Sequence, residues 1–155
     1  MANLTPAQLQ MNAILADLQT LVTSGVLNSA FADDMSKVSP LDRTWPGFPS
    51  AVVIPPTVSG NEFEDQADNT MEYTWYVMVV TTPENLPKSD PTYLAGLEDQ
   101  IINVFNLDAT LQGTANAAVY PVVVEPPGPV NSNSVTYVVF YITLKARAIV
   151  PAGTQ

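Results

Sequence analysis

Glu62, Glu64, Asp65 and Asp68 fall close together, and theirs is the one cluster in this chain whose spacing could hold an ion. Oxygen donors of this kind suit calcium. The cluster lacks the ordered acidic alternation and central glycine of an EF-hand loop, however, so a solvated acidic loop is the simpler reading. Nothing in the sequence marks one of these acids for a raised pKa, and a carboxylate pair for glycoside hydrolysis is equally unsupported. The remaining inventory is thin. Histidine and cysteine are both absent, which removes the commonest general base, the commonest transition-metal ligand and all thiol chemistry. With only 7 glycines there is no P-loop and no glycine-rich fingerprint after a strand. The residues therefore predict a protein that is not an enzyme, with no catalytic residues, no metal and no cofactor.

What remains is chemistry of contact. The chain carries 15 acidic and 5 basic residues, a net charge of −10. Such a surface repels nucleic acid and anionic membranes. Two of the rare cations, Lys145 and Arg147, alternate along one stretch and so share a face. They are either exposed charges that discourage edge-to-edge aggregation or contacts to acidic groups on a neighbouring subunit. Trp45 and Phe48 lie in a proline-stiffened segment, Arg43-Thr44-Trp45-Pro46-Gly47-Phe48-Pro49, and Trp75 and Tyr76 in an apolar one. Trp75 is expected in the core; Trp45 could fill the core or anchor an interface.

These residues need elements to position them. Thr5-Pro6-Ala7-Gln8 combines a cap, a first-turn proline and a capping-box glutamine. Ala7, Met11, Ile14, Leu18 and Leu21 then form an apolar stripe, with Gln8, Gln10, Asn12, Asp17 and Gln19 off it. A helix is predicted over residues 6–22, ending near Gly25. Residues 31–38 suggest a short edge strand, and residues 51–54 a buried one. Residues 55–68 read as a polar, acidic loop. Residues 70–82 form a strong strand, with Met71, Tyr73, Trp75, Val77 and Val79 on one face and Glu72, Thr74, Tyr76 and Met78 on the other. Residues 83–90 are a connection. Asp90-Pro91 opens a second helix carrying Leu94, Leu97, Ile101 and Phe105. A strand over 117–125, a rigid loop at 126–129 and a long strand over 135–150 complete the chain. In that last strand Val138, Phe140, Ile142, Leu144, Ala146, Ala148 and Val150 share the apolar face.

At 155 residues and 46% hydrophobic, the chain predicts a single domain, 1–155, with residues 1–5 and 151–155 as flexible ends. The fold class is α+β, a mixed and mainly antiparallel sheet with two amphipathic helices packed on one face. The opening residues have neither basic residues nor an apolar run, so no signal peptide is expected and the protein should begin life in a cytoplasm.

This order of elements resembles the tail terminator and tail-completion (neck) proteins of tailed bacteriophages, the lambda-type terminator among them. The likeness spans nearly the whole chain. It rests on the N-terminal helix ending in Leu18, Leu21 and Val22, on Trp45-Pro46-Gly47-Phe48-Pro49-Ser50-Ala51-Val52-Val53 leading into the sheet, and on Phe105-Asn106-Leu107-Asp108 closing the second helix. The acidic segment 62–68 and the proline-rich segment 125–129 depart from the family pattern. The resemblance implies a structural virion protein of the tail or neck, assembled in the host cytoplasm as a ring, usually of six copies. The ring would cap the tail tube, end its elongation and offer its other face to the head connector or stopper protein. DNA would pass through the channel without specific binding, and no membrane would be involved. On this reading Trp45, Lys145 and Arg147 are candidate subunit or tube contacts, with sheet-edge pairing as a plausible mode. Glu62, Glu64, Asp65, Asp68 and Glu72 are candidates to line the channel. A tail-tube subunit or head-tail stopper would share these features. A pilus-like surface binding module and a small metal-dependent hydrolase are the alternatives from other classes.

Overall fold

The computed structural model describes residues 4–37, 39–63, 68–115 and 121–151, side chains excepted at 59–63, 68–70, 122–125 and 149–151. The described residues form a five-stranded sheet in the order β1-β2-β3-β5-β4 with two α-helices against it, an α+β fold.

Helix α1 (Pro6–Thr23) starts as its sequence dictates. The Gln8 amide donates to Thr5 Oγ1 and the Thr5 amide to Gln8 Oε1, which closes a capping box in front of Pro6. It stops where Gly25 takes a φ of 85°, with the Val26 and Leu27 amides turning back onto the Leu21 carbonyl. Strand β1 (Ser29–Ala32) then runs parallel to β2 (Ser50–Phe63), which is antiparallel to β3 (Asp68–Thr81). Helix α2 (Tyr93–Asn106) begins later than Asp90-Pro91 suggests. Asp90 Oδ1 accepts from the Thr92 amide at 3.0 Å and its hydroxyl at 2.7 Å, making a turn ahead of the helix. Strands β4 (Pro121–Ser132) and β5 (Val135–Pro151) close the sheet as an antiparallel pair. Residues 117–120 of the expected fourth strand lie outside the described residues.

Two expected loops are strands. Residues 55–63 continue β2, and the Pro126-Pro127-Gly128-Pro129 segment continues β4. Each proline pair occupies a bulge: Ile54 and Thr57 of β2 face Tyr76 and Thr74, and Glu125 and Gly128 of β4 face Tyr141 and Val139. One extra residue per bulge takes the prolines out of the ladder. Both lie on a strand with an unpaired side, where a missing N–H costs no hydrogen bond. The reversal instead falls at Asn133 and Ser134, with φ of 50° and 64°, the left-handed pair a tight two-residue hairpin requires.

The front of the sheet and the helices enclose the larger core. Tyr73, Trp75, Val77 and Val79 of β3 meet Phe140, Ile142, Leu144 and Ala146 of β5, covered by Ile14 and Leu18 of α1 and Leu97, Ile101 and Phe105 of α2. Trp75 is buried there, as expected, and its Nε1 donates to Gln10 Oε1 at 2.9 Å. Gln10 and Asp17, which the helical stripe leaves on the polar side, are both buried. Helix α1 is buried on a wider arc because it touches α2 as well as the sheet. Gln10 tolerates that position by satisfying an indole N–H whose isolation would cost about 1–3 kcal/mol.

The back of the sheet carries a second, smaller core. Val52, Met78, Val80, Tyr137 and Val139 pack under Leu41, Phe31, Trp45 and Phe48, which cover one half of this face. Met78, assigned by alternation to the more polar side of β3, is accordingly buried.

Candidate functional site

The other half of the back face is left open, and its residues come in cross-strand pairs. Glu72 lies opposite Arg147, Thr74 opposite Lys145 and Tyr76 opposite Thr143. The alternation that sends Leu144, Ala146 and Ala148 into the core sends Lys145 and Arg147 outward, and both are exposed. The expected sharing of a face by these two cations holds.

Their electrostatic situations differ. Arg147 Nε lies 3.3 Å from Glu72 Oε2, with the two side chains 59% and 25% exposed. An exposed pair of this kind contributes about 0–1 kcal/mol and opens readily. Lys145 faces a threonine, so its charge is the less engaged of the two. The result is a partly exposed platform with one cation held by its own chain and another presented outward. It suits recognition of an acidic surface.

Trp45 is not part of this platform. Its ring centroid lies 5.9 Å from that of Phe31, 5.7 Å from Phe48 and 6.2 Å from Tyr137, in the half-covered aromatic cluster of the back core. Its Nε1 is buried with no acceptor among the described residues. Arg43 seals this cluster. Its guanidinium carbon sits 4.7 Å from the Phe31 centroid and 5.7 Å from the Trp45 centroid, and its Nη2 lies 2.8 Å from Asp33 Oδ1. The Nε of Arg43 donates to the Pro40 carbonyl at 3.0 Å. Sequence spacing gives no sign of the Asp33–Arg43 pair; the one hint is an arginine beside tryptophan in a chain with so few cations.

The acidic candidates are divided. Glu72 belongs to the platform as the partner of Arg147. Glu62 and Asp68 lie near the facing ends of β2 and β3, with their side chains outside the described residues, as are Glu64 and Asp65 entirely. Among the described residues no group of three or more acids could hold a metal ion. A shallow groove of about 460 Å³ along α2 is lined by Asp99, Gln100, Ile102, Asn103 and Asn106 and brings no acid–base pair together. No helix among the described residues is long and apolar enough to cross a membrane.

No protein-family model matches this chain. No curated protein matches it either.

Proposed function

We propose that this chain is a structural subunit of a tailed-bacteriophage virion, a tail terminator that forms a closed ring on the end of the tail tube. The observation that carries the reading is the half-bare sheet, with Lys145 and Arg147 on its open back and proline-bearing strands at its margins. Strand β4 has Pro121, Pro126, Pro127 and Pro129, and β2 has Pro55 and Pro56 beyond the reach of β1. Such margins oppose unlimited edge-to-edge addition. This argues against sheet-edge pairing along β4 and favours contact through the open face.

A rigid face loses little entropy on binding. When it docks on a different surface of the next copy, the interface is heterologous and closes into a cyclic ring, here a homo-hexamer. In a chain of net charge −10, the acidic complement is available on the neighbouring copy or on the tail-tube protein. The other side of the ring meets the head connector or stopper protein. Glu62, Glu64, Asp65 and Asp68 rim the channel, where a negative wall keeps DNA from sticking as it passes. Glu72 is better placed at the subunit contact, through Arg147. The role is mechanical, without catalysis, metal or cofactor, and the protein resides in the virion neck after assembly in the host cytoplasm.

Electron micrographs of intact tails labelled on this chain should show several copies as a ring at the head-proximal end. A single copy per tail, or labelling along the whole tube, would overturn the proposal. A monomer in free solution is compatible with it, since docking can drive closure.

A further inference from the structure

Helix α1 is fastened to the connection between α2 and β4 at two points separated by two helical turns. Gln10 Nε2 reaches the Thr114 carbonyl at 3.5 Å, and seven residues further along the same face Asp17 meets Asp108. The connection itself is tightly wound. Leu111, Gln112 and Gly113 have φ of 50°, 58° and 82°, Leu111 is fully buried, and Asp108 Oδ1 accepts from the Gln112 amide at 2.8 Å. The Oδ2 atoms of Asp17 and Asp108 are both buried, and neither has a hydrogen-bond donor among the described residues.

Two carboxylates brought together out of water repel unless something lies between them. Among the described residues, the elements around the pair supply no cation. Asp17 is the one charged residue of α1; α2 has Glu98 and Asp99, the connection has Asp108, and none of these elements or β1 carries a lysine or arginine. The lysine and arginine of β5, Lys145 and Arg147, point to the opposite face of the sheet. Arg43 is engaged by Asp33. The side chain of Glu62 on β2 lies outside the described residues. Tyr93 of α2 is half-buried against the front core and Tyr73 of β3 is buried in it; burial raises the pKa of both phenols.

We propose that Asp17 and Asp108 share one proton, and that this proton latches α1 onto the connection after α2, so that the helix seats most firmly in acidic medium and loosens progressively as the medium turns toward mild base. The proton resides on Asp17, whose carboxyl donates to the Asp108 carboxylate. Burial first, then the hydrogen bond and the charge of Asp108, push the Asp17 pKa up to about 8 from its ordinary 3.8. The folded state thus holds a proton that the unfolded chain gives up. This contribution is complete below the unfolded value, declines as pH rises between the two values, and is gone once pH passes the folded one. The inference is independent of the virion role.

The direct test is the carboxyl-carbon NMR resonance of Asp17 in the full chain, followed from pH 5 to pH 9. Its midpoint is expected near 8, and Asp108→Asn should lower it by roughly one unit or more by removing the opposing charge. In parallel, amide hydrogen exchange over residues 13–23 should accelerate between pH 5 and pH 8 beyond the intrinsic rate increase and gain no further excess above pH 8, and Asp17→Asn should abolish that excess. A midpoint near 4, or one unmoved by Asp108→Asn, overturns the proposal. So does calcium stabilisation at pH 8 that requires both acids, because the pair would then be a cation seat.

Discussion

Replacing Arg43 by methionine is expected to lower the stability of the fold by about 3 kcal/mol, because it strands the Asp33 carboxylate in a buried position. The side chain of Asp33 is only 4% exposed, and Arg43 Nη2 at 2.8 Å is its charged partner. Methionine replaces much of the packing against Phe31 and Trp45 but supplies neither the charge nor the hydrogen bond to the Pro40 carbonyl, so the effect reads the polar contacts of Arg43 together. For a chain of this size the melting temperature should fall by roughly 6–12 °C. A second substitution, Asp33→Asn, removes the stranded charge and should recover a substantial part of the loss, since a pair deleted together is far less harmful than a pair broken. Equal stability of Arg43→Met and the parent chain would show that the pair contributes nothing to holding Phe31, Trp45 and Phe48 over the back core.

Reversing Lys145 and Arg147 to glutamate is expected to leave the fold intact and, on the proposed role, to weaken ring assembly on the tube by roughly a hundredfold at low ionic strength. Both side chains are exposed, so no core contact is lost. Lys145→Glu alone should account for most of the effect, because Arg147 is already engaged by Glu72 while Lys145 faces Thr74. The deficit of the double variant relative to the parent should shrink as salt rises toward about 1 M, where the screening length is only about 3 Å. Assembly that is unchanged at every salt concentration would reduce both residues to surface charges guarding the sheet.

The elements that could be read from the sequence are those whose period is set by one buried face. Met71 to Val79 alternates because β3 lies at the centre of the sheet, and Leu97, Ile101 and Phe105 repeat because α2 lies across it. The platform follows from the same alternation, so Lys145 and Arg147 could be placed on one face without a structure. Its partner could not: Glu72 and Arg147 are 75 residues apart and meet only through the β3–β5 register. The proline pairs misled for a specific reason. Pro55-Pro56 and Pro126-Pro127 break a central strand but are harmless in the bulge of a strand with an open side, and openness is a property of the whole sheet. Gln10 and Asp17 were hidden likewise, since a polar residue on a helix is read as exposed until its tertiary partner is known. Trp45, ambiguous in sequence, proved to be a member of the back core.

The central claim, a ring that ends a tube, is tested most directly by growth of the tube itself. The purified chain is mixed with its cognate tail-tube protein during polymerisation, and tube lengths are measured by electron microscopy. A terminator acts only at ends, so substoichiometric amounts should arrest elongation and leave short tubes, each with this chain at one end. Alone and concentrated, the chain should form rings at most. Long tubes built from this chain by itself, or tube growth indifferent to its presence, would contradict the account.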